Sequence, residues 1–111
     1  MICIAKPYAR QRSISPKLVV WAFKRTGLKP TVRGSGMGDP GKGCAITAVS
    51  YAMRAGRWDA ADARLRGSYA MGIWFGWDRG EVAESDNPEH RRGCLDAIAA
   101  RKALTEAGIT P

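Results

Sequence analysis

The sequence predicts a mainly α fold: one small domain spanning residues 1–111, with four or five helices and room for a minor two-stranded β piece. Three observations carry this expectation. Helix-opening dipeptides stand at Ser15-Pro16 and Asn87-Pro88, where a capping side chain precedes a proline preset for the first turn. Glycines close the segments that follow, at Gly27 and Gly108. Hydrophobic residues make up 45% of the chain, enough for a core, so wholesale disorder is not expected. The short chain also has no room for the several βαβ units of a dinucleotide-binding or nucleotide-hydrolysing core.

Residues 1–15 read as a basic arm that opens with a short apolar strand at residues 2–5 and continues as a loop. The first helix runs from Ser15-Pro16 to Gly27; its segment 18–23 is apolar on every side, so the flanking signals rather than periodicity make it a helix. Residues 29–43 form a long loop rich in glycine and proline, and the β piece would pair residues 2–5 with 31–33. A second helix covers residues 44–54, with Ile46, Val49 and Met53 on its buried side. Asp59 caps a short helix over 60–66, closed by Gly67. Ser68 caps the next helix, whose run 69–77 (YAMGIWFGW) is too short for a membrane span and too apolar for a surface helix. After the acidic loop 81–86, the last helix runs from Asn87-Pro88-Glu89 to Gly108. Gly93, Ala97, Ala100 and Leu104 face inward along it, while Arg92 with Asp96 and Lys102 with Glu106 form solvated i,i+4 pairs.

Tyr69-x-x-Gly72-x-x-x-Gly76 returns 21 residues later as His90-x-x-Gly93-x-x-x-Ala97. Both motifs place small residues one turn apart on a helix face, which predicts that these two helices pack closely through their stripes. Together with Gly43-Cys44-Ala45-Ile46-Thr47-Ala48 and Arg92-Gly93-x-x-Asp96-x-x-Ala99-x-x-Ala103, the pattern resembles small uncharacterised bacterial and phage proteins. In those proteins the first motif usually reads Cys-Pro-Ile-Thr; here Ala45 replaces the proline, and Ala97 stands where a second glycine would be. The resemblance covers residues 43–103 and implies a compact helical domain, with no settled activity.

The formal charge of +8 is unevenly laid out. Residues 1–42 hold nine basic side chains and a single acid, Asp39, whereas residues 43–111 hold nine of each sign. A localised basic segment attracts polyanions. The candidate contacts are Arg10, Arg12, Lys17, Lys24, Arg25, Lys29, Arg33 and Lys42, with Trp21 as a stacking surface; the plainer alternative puts Trp21 in the core with its lysines reaching outward. No apolar run approaches the length of a bilayer span, the N-terminus does not read as a secretory signal, and Cys3, Cys44 and Cys94 are scattered and odd in number, so a cytoplasmic location is expected.

Catalytic motifs are sparse. The stretch from Gly36 to Gly43 imitates a phosphate-binding loop, but Gly43 stands where a magnesium-holding hydroxyl is needed; a looser anion site at Lys42 is the weaker form of the idea. Cys44 at a helix start could be a nucleophile, with His90 as the sole imidazole in the chain to serve as its base. Cys3, Cys44, His90 and Cys94 could form a metal set, though they lack the close spacing of knuckle ligands. No cofactor or metal is expected. The leading expectation is a non-enzymatic binding protein whose basic N-terminal third meets nucleic acid or an acidic protein surface. The second is a protein-docking module anchored by Trp58, Trp74, Phe75 and Trp77. The third is an enzyme built on Cys44.

Overall fold

The computed structural model describes residues 13–31, 41–53 and 67–111. The fold is mainly α, and the described residues form four helices and a two-stranded parallel sheet in the order α1 (Pro16–Thr26), β1 (Lys29–Pro30), β2 (Lys42–Gly43), α2 (Ala45–Met53), α3 (Gly67–Arg79) and α4 (Pro88–Glu106). The expected strand 2–5, the expected helix 60–66 and Arg54 lie outside the described residues.

Local chemistry sets the helix ends. The Ser15 hydroxyl accepts from the Leu18 amide at 3.1 Å, Pro16 fills the first turn, and Gly27 closes α1 at φ 72°, a left-handed turn that favours glycine. At α4, the Asn87 side chain accepts from the amides of Glu89 and His90 ahead of Pro88. The expected pairing of residues 2–5 with 31–33 lies outside the described residues but for Thr31; the sheet that is described is formed by other residues. Lys29 pairs with Lys42 and Pro30 with Gly43, and Thr31 lies just past β1, where its amide donates to the Gly43 carbonyl at 3.1 Å. Both strands come from the two ends of the glycine-rich loop, which lie close enough in space to pair.

The core gathers Leu18, Val19, Ala22 and Phe23 from α1, Ile46 and Val49 from α2, Tyr69, Ile73 and Trp77 from α3, and Ala97, Ala100 and Leu104 from α4. Helix α4 packs on both α3 and α1, and α1 also packs on α2.

Helices α3 and α4 run parallel. The Asn87 side-chain amide donates to the Ser68 hydroxyl at 2.9 Å, so both helices start at the same end, and residues 80–87 return the chain along their length. The contacts repeat the 21-residue echo. A Cβ on Gly72 would fall inside the His90 carbonyl oxygen, and one on Gly93 inside the Tyr69 carbonyl oxygen; His90 and Tyr69 are equivalent in the echo. Likewise a Cβ on Gly76 would come within 2.5 Å of the Cys94 carbonyl oxygen. The Tyr69–Asp96 contact is mirrored by His90 against Phe75, again 21 residues apart on each side. The pair is therefore packed with a local pseudo-two-fold relation, and its small residues allow a backbone approach that no larger side chain permits.

Candidate functional site

Because α1 buries Leu18, Val19, Ala22 and Phe23, its opposite side presents Lys17, Lys24 and Arg25 to solvent. Trp21 is half-buried at the edge of this side, packed against the core, with the Arg25 guanidinium 5.9 Å from its ring centroid. Lys29 is exposed and Lys42 half-exposed, while their strand neighbours Pro30 and Gly43 are buried. The two lysines thus stand in register on the solvent face of the sheet. Residues 13–31 and 41–53 contain these five cations and no Asp or Glu, and none of the five forms an ion pair with a described carboxylate. Arg10, Arg12 and Arg33 lie outside the described residues.

The aromatic candidates divide. Trp77 is 3% exposed and belongs to the interior: its ring stacks on Phe23 at 6.0 Å, and its indole N–H donates to the Thr31 hydroxyl at 3.0 Å. Arg101 lies over the same ring at 4.5 Å and donates to the backbone carbonyls of Trp77 and Thr31. This knot fixes the chain where it leaves β1. Trp74 and Phe75 are half-buried, the first against the core and the second between His90 and Arg79. Met71, which the sequence reading did not single out, is 54% exposed on the same helix. Trp58 lies outside the described residues.

Cys44 and His90 are not brought together. The Cys44 sulfur sits 3.5 Å from the Thr47 hydroxyl at the start of α2, whereas His90 Nδ1 lies 3.8 Å from the sulfur of Cys94 at the start of α4. Contacts from Gly43 to Thr31 and from Thr31 to Arg101 place the Cys44 end beside Arg101. Arg101 is eleven residues from His90 along α4, about 16 Å at the rise of a helix. A Cys44–His90 dyad therefore has no geometric basis, and the Cys44, His90 and Cys94 set does not converge; Cys3 lies outside the described residues. No metal-ligating cluster of three or more occurs among the described residues. The phosphate-loop comparison also fails at Lys42: it lies in β2, three residues before α2, and the Gly43 carbonyl is taken by Thr31. In a phosphate loop the lysine stands at the helix start.

A polar cluster that the sequence reading missed ties the N-terminal segment to the helix pair. The buried Tyr69 hydroxyl accepts from the Ile14 amide at 2.8 Å and donates to Asp96 at 2.6 Å, and the Arg92 guanidinium covers its ring at 4.2 Å. Burial, joined by the bond to Asp96, pushes the Tyr69 phenol well above its ordinary range. Arg92 also pairs with Glu89 at 2.7 Å and reaches Asp96 at 3.9 Å; its hydrogen bond to Glu89 holds that carboxyl below its usual range. Separations of 55 and 27 residues left no local signal for these contacts.

No helix among the described residues is long and apolar enough to cross a membrane. Comparison with protein-family models, with curated proteins and with solved structures finds no match to this chain.

Proposed function

We propose that this protein is a non-enzymatic binding protein that docks on an anionic partner, nucleic acid or an acidic protein surface, through the cationic side formed by α1, β1 and β2. One observation carries the reading: five cations stand on a half of the molecule that has no carboxylate among its described residues. Charges kept only for solubility need no such segregation, whereas a docking surface gains affinity and on-rate from a field of one sign.

Titration of a labelled DNA duplex and of labelled poly-glutamate, followed by fluorescence anisotropy at about 50 to 200 mM salt, tests the proposal. Binding of either polymer that weakens steeply with salt and with Lys17→Gln plus Lys24→Gln is the expected result. Failure of both polymers to bind at the lowest salt would overturn it.

A second reading, protein docking through α3, draws on the exposed Met71 beside Trp74 and Phe75. Trp77 takes no part in it, because its ring is committed to Phe23, Thr31 and Arg101.

A further inference from the structure

We infer that the cationic side grips the phosphodiester backbone of nucleic acid without reading bases, and that Lys29 and Lys42 together hold a single phosphate. This inference rests on the binding proposed above and narrows it to one partner class and one mode of contact.

The first argument is the register of the sheet. Lys29 and Lys42 are directly paired in a parallel ladder and share its solvent face, on strands that lie about 4.8 Å apart. Like charges placed opposite one another across strands destabilise the pair. Neither lysine has a described carboxylate partner to relieve that cost. Two ammonium groups on such closely spaced strands can instead converge on the two non-bridging oxygens of one phosphate, which turns the repulsion into a contact.

The second argument is composition. Four of the five cations, Lys17, Lys24, Lys29 and Lys42, are lysines. Lysine is depleted from protein–protein interfaces, whereas it binds phosphate well as a point charge. A lysine-rich surface therefore favours phosphate over an acidic protein face.

The third argument concerns what the surface lacks. Apart from arginine and lysine on guanine, base edges are read chiefly by Asn and Gln on adenine and by Asp and Glu on cytosine. Residues 13–31 and 41–53 contain no Asn, Gln, Asp or Glu, and their one arginine, Arg25, lies over Trp21. Phosphate contacts fix position but carry no sequence information.

The full chain is titrated with labelled duplexes of different sequence, with Lys29→Gln and Lys42→Gln as variants and thermal melting as a second readout. Expected are equal affinities across sequences and a log–log salt slope of about −3.6, as four phosphate contacts imply when Lys29 and Lys42 share one. The two variants combined should lower the slope by about one and the affinity roughly eightfold near 0.1 M salt, each alone accounting for part of that loss. Each should also melt at a temperature equal to or above that of the parent, because it relieves the repulsion. Lys42→Glu, which places opposite charges across the strands, should melt higher still and bind worst. Duplex binding that discriminates between sequences, or that ignores both glutamine variants, overturns the inference and leaves the anionic-partner reading standing. Tight binding of poly-glutamate with weak duplex binding does the same. A loss of binding accompanied by a lower melting temperature in both glutamine variants assigns the lysines a structural role and also overturns it. Only the failure of every polyanion counts against the broader proposal.

Discussion

The two halves of this small protein treat polar groups in opposite ways. In the α3–α4 pair, small residues bring backbones into contact, and the charged side chains at the seam answer one another: Tyr69 bonds Asp96, and Arg92 spans Glu89 and Asp96. In α1, β1, β2 and α2, the apolar residues make a comparable core, yet five cations face outward with no acid among them. At the seam the charges are paired with one another; in the other half none of the five cations has a carboxylate partner among the described residues. Stability should therefore be concentrated at the seam of α3 with α4 and in the Trp77 knot, and binding in the cationic side, with little overlap between the two sets of residues.

Gly72→Val is the strongest way to break the comparison. The new Cβ would meet the His90 carbonyl, backbone that no rotamer change can move aside. A loss of about 3 kcal/mol or more is expected, read as failure to fold or a collapsed melting temperature. A mild effect would mean that the parallel packing is loose. Trp77→Ala comes next, at about 3–5 kcal/mol, because it empties the space against Phe23 and releases Thr31 and Arg101 together.

Tyr69→Phe removes only a hydroxyl, but leaves the buried Ile14 amide without its acceptor and Asp96 without its donor, a loss of about 1–3 kcal/mol by chemical denaturation. It also has a pH signature. The Tyr69 pKa is raised in the folded state relative to an unfolded value near 10, so its contribution is fully present below that pH and is lost as pH rises above it. The parent should lose stability in alkali more steeply than Tyr69→Phe, and one tyrosine should ionise after the others in an ultraviolet titration.

The smallest structural effects belong to the other half. Lys17→Gln and Lys24→Gln should leave stability within about 0.5 kcal/mol, while both weaken polyanion binding. A destabilised fold with intact binding would reverse the division drawn here.

Much of the fold was legible in the chain because its signals are local. Ser15-Pro16 and Asn87-Pro88 open helices for reasons of hydrogen bonding within four residues, and Gly27 closes one through its own backbone angle. The echo of Gly72 and Gly76 with Gly93 and Ala97 pointed to the seam, since small residues one turn apart let two helix backbones approach closely. The candidate site was legible as charge, because a net sign can be counted without coordinates.

The sequence alone determined where α1 begins and ends and where α4 begins, which two helices must touch and which third of the chain is cationic. Only the tertiary structure decided that α3 and α4 run parallel, that Trp77 turns inward while Met71 turns outward in one apolar run, and that Lys29 stands beside Lys42. It also separated Cys44 from His90 and joined Tyr69 to Asp96 and Ile14. The physical reason is range. Caps, turns and net charge act within a few residues or add up regardless of order, whereas register, burial and approach depend on closing long loops, and composition does not record which distant segments win that competition.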